Sequence, residues 1–137
     1  MSKPFDRDIY DKDDNAKYQI IDWLKSKGFE AWVNPDDYGI DVLASRDKNN
    51  YGFEVEVKHN WDTDAFPYKE VHFSARKLKF VAPNHFFTML NHARTHVLVV
   101  KGETLAIAPI VRKKTKYTEM EDFIEVLTAD CMIRVLE

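Results

Sequence analysis

The sequence has a single cysteine, four glycines and no long apolar run, and each shortage excludes a class of protein. One thiol, Cys131, cannot form an internal disulfide, so a reduced setting is expected and the thiol is most simply a core residue. Four glycines leave no material for a glycine-rich phosphate loop. The polar first eight residues predict no signal peptide, and no stretch approaches the roughly 20 apolar residues of a membrane span.

The chain also lacks an excess of basic residues. Its formal net charge is −3, which argues against a protein that coats nucleic acid through bulk charge, although local basic patches remain compatible with it. The composition is otherwise that of a folded protein, because 45% of its 137 residues are hydrophobic and 13% are aromatic. We therefore expect one ordered domain with a sizeable core.

The first part of the chain predicts an irregular arm, one helix and three strands. Residues 1–11 are polar and carry the arm, and apolar residues recur at helical spacing over 13–27 until Gly28. Alternating or apolar stretches then predict strands at 29–34, 40–45 and 51–58. The remaining predicted elements are an extended segment at 70–73, a helix over 75–82 capped by Ser74, strands at 85–90, 95–101 and 103–110, a basic loop at 112–118, one or two helical turns at 120–125 and a last strand at 131–136.

The strand at 51–58 carries the chemistry of interest. Alternation along a strand places Glu54, Glu56 and Lys58 on one face, opposite an apolar face. The short connection at 46–50 predicts an antiparallel hairpin with the strand at 40–45. If Arg46 pairs with residue 51 across that turn, Asp41 lies opposite Glu56.

Two carboxylates on adjacent strands, with a lysine beside them, have the composition of a metal site. Mg²⁺ takes oxygen ligands and keeps several waters, and such waters attack phosphodiesters. The alternative is a solvated strand face with Glu–Lys pairs. Asp41 argues against that alternative, since aspartate is rare in strands and costly within an apolar stretch. Taken alone, these residues leave both interpretations open.

The order of these features resembles the PD-(D/E)xK nuclease superfamily. The matching residues are a helix, a strand, Gly39-Ile40-Asp41, a hairpin and Glu56-Val57-Lys58, within about residues 13–108. The chain looks similar to archaeal-type Holliday-junction resolvases and to small phage or viral nucleases. The resemblance implies a restriction-endonuclease-like, mixed α+β fold with an αβββαβ core and a central mixed sheet flanked by helices. It also implies a single nuclease-like domain over residues 1–137, with 112–137 as a C-terminal extension.

The resemblance further implies a Mg²⁺-dependent endodeoxyribonuclease. Asp41 and Glu56 would ligate Mg²⁺ or Mn²⁺ together with the carbonyl of Val57, and Lys58 would be the catalytic lysine. DNA would be the partner, with phosphate contacts from Arg76 and Lys77. A homodimer is expected by analogy, as is a cytoplasmic location, in the host cell if the gene belongs to a phage.

The chain departs from the family pattern at two places, and these keep other functions open. Ile40 stands where the motif proline is usual. Many members have a glutamate in the first helix, whereas here Lys17 or Gln19 occupies that region and Asp13 and Asp14 are the nearest acids. Glu54 can serve instead, or it is an exposed acid at a strand edge. The alternatives are a catalytically inactive nucleic-acid-binding module on the same fold and an acidic interaction or inhibitor protein.

Three further groups of residues lie outside the motif. The five histidines lack the spacing of a zinc site. The aromatic residues of the 59–68 segment can stack on bases or pack beneath the sheet, and packing is the favoured expectation; they are Trp61, Phe66 and Tyr68. The lysines of the basic loop become backbone contacts if the protein cuts DNA; they are Lys113, Lys114 and Lys116.

Overall fold

The computed structural model describes residues 7–115 and 120–136, with side chains from residue 15 onward. Within these ranges the chain forms two α-helices, nine strands and two short 3₁₀ helices. The elements in order are α1 Arg7–Ser26, β1 Glu30–Val33, β2 Val42–Arg46, β3 Asn49–Val57, β4 Glu70–Ser74, a 3₁₀ helix Ala75–Phe80, β5 His85–Leu90, β6 His96–Lys101, α2 Gly102–Ile107, β7 Ile110–Lys113, β8 Glu121–Leu127, a 3₁₀ turn Thr128–Asp130 and β9 Met132–Val135.

Helix α1 begins earlier than its apolar spacing predicted. Residues 7–11 are helical, so the predicted irregular arm over 1–11 is wrong for that part, and its first six residues lie outside the described ranges. The helix ends where expected, because Gly28 takes a φ of 89° and the Phe29 N–H donates to the Leu24 carbonyl at 3.1 Å. Neither α1 nor α2 has the length and apolarity to cross a membrane.

The hairpin between β2 and β3 closes through a two-residue turn. Asp47 and Lys48 both have positive φ, 52° and 68°, which is the backbone of a type I′ turn. Arg46 consequently pairs with Asn49, two residues earlier than the partner expected from the sequence. The antiparallel pairing was predicted correctly and its register was not.

The central sheet has six strands in the order β1-β2-β3-β5-β6-β9. Its β3–β5 pair is parallel and its other pairs are antiparallel, so the sheet is mixed, as predicted. One core cluster contains buried residues of α1 and of strands in this sheet. A second cluster joins β5 and β6 to a three-stranded sheet, β4-β8-β7. The sheet therefore separates two cores, and half-buried Cys131 packs against the second one.

Two of the later elements were assigned to the wrong class. The segment predicted as a strand over 103–110 instead belongs to α2 and β7. The buried residues of α2 are Gly102 and Leu105, and their spacing of three suits one face of a helix. The segment predicted as helical turns over 120–125 lies in β8, where alternate residues Ile124 and Val126 are buried.

The predicted second helix is shorter and tighter than expected. It is the 3₁₀ helix Ala75–Phe80 rather than a helix over 75–82, and the Ser74 side chain does not cap it. The Ser74 hydroxyl instead donates to the Glu121 carboxylate at 3.3 Å. This contact ties the start of the 3₁₀ helix to the second sheet.

Candidate active site

Asp41 stands at the end of a compact loop that the sequence builds from local hydrogen bonds. The Asn34 amide donates to the Ile40 carbonyl at 2.9 Å, and the Asn34 N–H donates to the Asp41 carbonyl at 3.0 Å. A Cβ at Gly39 would lie 2.5 Å from the Asn34 side-chain nitrogen, so a larger residue there would displace the Asn34 amide that bonds the Ile40 carbonyl. The loop therefore delivers Asp41 immediately before β2 in a defined backbone position.

The observed register brings Asp41 to Glu54. Val42 pairs with Phe53, and one step further along the hairpin Asp41 faces Glu54 rather than Glu56. The Val55 N–H also donates to Asp41 Oδ2 at 2.9 Å. The expected pairing of Asp41 with Glu56 is thus displaced by two residues, which is the amount by which the turn is tighter than predicted. A two-residue displacement preserves the face of the sheet, so all three carboxylates stay on the same side.

Glu54 is the most perturbed acid of the group. Its side chain is buried, with the residue 6% exposed, and burial raises its pKa to about 8, helped by a hydrogen bond with the Asp41 side chain. Lys77 opposes this rise. At neutral pH the Glu54 carboxyl therefore holds a proton next to the Asp41 carboxylate.

Lys77 supplies the cation of the group. Its Nζ lies 3.1 Å from Glu56 Oε2 and 3.7 Å from Glu54 Oε2. Burial lowers the pKa of Lys77, but the carboxylates of Glu56 and Glu54 outweigh burial, so its pKa is raised and the ammonium is retained. The residue reaches the carboxylates from the 3₁₀ helix that follows β4.

Lys17 approaches the same group from α1. Its Nζ lies 3.7 Å from Asp41 Oδ1. This is the helix region in which the resemblance leads one to expect an acid. The Lys17 ammonium therefore lies beside Asp41 in the region where the resemblance predicts an additional carboxylate.

The other predicted residues have different contacts or lie outside the described side chains. Val57 ends β3, and the Lys58 N–H donates to the Leu90 carbonyl at 2.8 Å, which continues the parallel pairing. Lys58 Nζ lies 5.9 Å from the centre of the Tyr68 ring, and it forms no ion pair with any carboxylate in the described ranges. Arg76 is largely exposed and lies 3.7 Å from Glu121. The side chains of Asp13 and Asp14, like residue Lys116, lie outside the described part of the chain.

The donor set suits a hard divalent cation. Carboxylate oxygens are the ligands that Mg²⁺ and Mn²⁺ prefer, and two of them suffice for an ion that keeps several waters. Asp41, just before β2, and Glu54 of β3 offer such oxygens side by side once Glu54 gives up its proton. Among the residues that the structure describes, no group of three or more His, Cys, Asp or Glu side chains is arranged to hold a metal ion. The Lys77 ammonium lies next to these ligands, 3.7 Å from Glu54 Oε2.

Comparison with solved structures defines the class of fold. The chain has a mixed α+β fold with a central mixed sheet, consistent with the restriction-endonuclease-like fold expected from its sequence. Its structure is similar to that of Hjc, a Holliday junction resolvase from the archaeal hyperthermophile Archaeoglobus fulgidus, with a TM-score of 0.55 and 11% sequence identity. The similarity covers 86% of this chain and 85% of the Hjc chain. No protein-family model and no curated protein matches the sequence.

The interpretation from sequence underrated two residues of this group. The sequence is compatible with Glu54 as either a ligand or an exposed acid and predicts Lys77 only as a phosphate contact, yet both lie among the carboxylates. A two-residue turn would have placed Asp41 opposite Glu54. Asn49 and Asn50 are typical turn residues, however, so the sequence does not indicate that the turn consists of Asp47 and Lys48, which have positive φ. No sequence signal places Lys77, because the β3 carboxylates that it contacts are distant from it in sequence.

Proposed function

We propose that this protein is a metal-dependent nuclease that hydrolyses phosphodiester bonds in DNA. The observation that supports it best is the meeting of the Asp41 and Glu54 carboxyl groups across β2 and β3, on a nuclease fold. A strongly perturbed acid with a specific charged partner is the type of group that active sites contain. The proposal names Mg²⁺ or Mn²⁺ as the cofactor and DNA as the substrate class.

Asp41 and Glu54 would hold the divalent ion, with Glu56 and the carbonyl of Val57 as the further ligands expected from the motif. When bound, such an ion supplies an activated water and neutralises charge on the phosphoryl oxygens. The Val55 N–H donates to Asp41 Oδ2 at 2.9 Å and fixes the orientation of that carboxylate, while Lys17 Nζ lies 3.7 Å from Oδ1. Asp41 is therefore oriented by the backbone before any ligand arrives.

Two lysines are candidates for the cationic role beside the ion. The motif nominates Lys58, and the geometry nominates Lys77, whose Nζ lies 3.1 Å from Glu56 Oε2. A lysine in this place orients the attacking water or stabilises charge that develops in the transition state. We favour Lys77, because it contacts the carboxylates directly and Lys58 lies against Tyr68.

A second candidate function is a nucleic-acid-binding module on the same fold that has lost catalysis. The position of Lys17, 3.7 Å from Asp41 Oδ1, favours it. A cation beside Asp41 reduces the negative potential that draws a divalent ion to the site. Cleavage and binding assays separate the two functions.

The test is nicking of supercoiled plasmid, and of a four-way junction, by purified protein with Mg²⁺ or Mn²⁺. We expect Asp41→Asn and Glu54→Gln each to lower the cleavage rate by about 100-fold or more, which corresponds to loss of a principal electrostatic contribution. Glu30→Gln is the matched control, because Glu30 is an exposed acid of β1. Lys77→Met and Lys58→Met, compared side by side, assign the lysine role.

The outcomes discriminate between the candidate functions. Wild-type protein that binds DNA in a salt-dependent manner without cutting it would support the inactive module. Protein that neither cuts nor binds DNA at low salt would support the acidic interaction or inhibitor protein. Light scattering during size-exclusion chromatography tests the homodimer expected by analogy.

A further inference from the structure

An aromatic stack rises from the second core to the surface just beyond β3. Its members are Trp61, Phe66 and Tyr68, with ring centres 5.2 Å and 5.5 Å apart in edge-to-face contacts. Exposure increases along the stack from 0% at Trp61 and 9% at Phe66 to 46% at Tyr68. The expectation that these residues pack beneath the sheet thus describes the inner two, and the outer ring faces solvent.

Hydrogen bonds anchor the segment that carries the exposed ring. The Trp61 indole donates to the Ala65 carbonyl at 3.1 Å, which closes the loop on itself. The His92 N–H donates to the Trp61 carbonyl at 2.7 Å. The Thr128 hydroxyl donates to the Tyr68 carbonyl at 2.8 Å. A ring mounted in this way loses little conformational entropy when a ligand covers it.

A cation lies over the ring. Lys58 Nζ lies 5.9 Å from the centre of the Tyr68 ring. Lys58 follows Glu56 by two residues, a distance of about 7 Å along an extended strand. Asp64, an acid of the same loop, lies 3.7 Å from His96 Nδ1 at the start of β6. An aromatic face and an ammonium thus occur together, and the lysine that carries the ammonium is two residues from the Glu56 carboxylate.

We propose that Tyr68 and Lys58 form a subsite for one unpaired nucleotide, with the base stacked on Tyr68 and its phosphate paired with Lys58. Aromatic rings that accept any base, combined with lysine contacts to phosphate, are the means by which proteins hold single strands. A base inside a duplex has both faces covered, so a fully paired duplex cannot use this ring. The inference rests on the proposed function and narrows its substrate to nucleic acid with an unpaired nucleotide beside the cleaved bond.

The test measures binding without cleavage. Full-length protein in EDTA is titrated into a labelled 12-nucleotide single strand and, separately, into the matching duplex, with fluorescence anisotropy as the readout. We expect Tyr68→Ala to weaken single-strand binding by roughly 10-fold or more and to leave duplex binding unchanged. Tyr68→Phe and Tyr68→Trp retain the stacking face and should bind the single strand like wild type.

The controls separate stacking from folding and charge. Tyr38→Ala removes another exposed tyrosine, 90% exposed in the loop between β1 and β2, and should change nothing. Tyr68→Leu keeps an apolar contact with Phe66 but has no aromatic face, so it should bind as weakly as Tyr68→Ala while melting like wild type. Lys58→Gln should lower the salt dependence of single-strand binding by about one phosphate contact.

Two results would overturn the subsite. One is equal single-strand affinity for wild type, Tyr68→Leu and Tyr68→Ala, and the other is an equal loss on single strand and duplex. Failure of the proposed nuclease is a different observation, since it appears as absent cleavage with Mg²⁺ or Mn²⁺ while the Tyr68-dependent binding in EDTA persists.

Discussion

The two faces of β3 are built from alternate residues of one strand, and they do opposite work. On one face Phe53 is buried in the first core, where its ring stacks on Phe86 at 5.2 Å. On the other face Glu54 is equally buried but shares its surroundings with Asp41, Glu56 and Lys77. Burial on the first face stabilises the fold, and burial on the second face raises the pKa of an acid.

The difference shows how a single strand supports both a core and a candidate site. Alternation keeps the two functions apart, because neighbouring side chains point to opposite sides of the sheet. The apolar face holds the strand rigidly enough for the carboxylates opposite to be positioned. Burying polar and ionisable groups on the second face costs stability, which the core on the first face offsets.

The largest effect is expected from a change on the apolar face of β3. Phe53→Ala should lower the free energy of unfolding by about 3–5 kcal/mol, because it deletes a buried ring and leaves a cavity. Urea denaturation measures the change. Val55→Ala, a smaller deletion on the same face, should cost less, and equal costs for the two variants would show that the Phe53 ring is not the principal contact.

A change on the opposite face should act through pH. The folded-state pKa of Glu54, about 8, lies above its unfolded value of 4.5, so the folded protein binds the extra proton between these values. Stability of the metal-free protein should therefore fall as pH rises from 5 to 8, by at most about 5 kcal/mol. Glu54→Gln should remove this fall and be more stable than wild type at pH 8.

Urea denaturation in EDTA at pH 5 and pH 8 gives the measurement for Glu54. The exposed variant Glu30→Gln is the control and should keep the wild-type slope. A slope that is the same in Glu54→Gln and in wild type would mean that the acid is not buried in its protonated form.

The smallest effect is expected where α1 reaches the carboxylate face. Lys17 is partly exposed and lies 3.7 Å from Asp41 Oδ1, so Lys17→Gln should change the free energy of unfolding by no more than about 1 kcal/mol. Calorimetric titration with Mn²⁺ should show tighter binding to Lys17→Gln than to wild type, because a positive charge beside the ligand is gone. Lys25→Gln, an exposed change in the last turn of α1, should leave Mn²⁺ binding unaltered.

Much of the fold could be predicted from local pattern. Local pattern predicts α1, the three strands that follow it and the antiparallel hairpin, because each depends on residues close in sequence. Short apolar stretches could not be assigned in this way. The residues around Leu105 and Ile124 fit either a helix or a strand over so few positions, and packing in the second core decided between them.

By itself, the sequence determined that Glu54 and Glu56 share one face of β3, since side chains alternate along a strand. Asp41 joins that face under any even shift of the hairpin register, and the register came only from the structure. The sequence also determined that an apolar face lies behind them. Only the tertiary structure decided which carboxyl group meets Asp41, because that depends on the left-handed backbone of Asp47 and Lys48 in the turn. Only the tertiary structure brought Lys77 to Glu56 and Lys58 to Tyr68, because residues distant in sequence meet through packing, which no local pattern records.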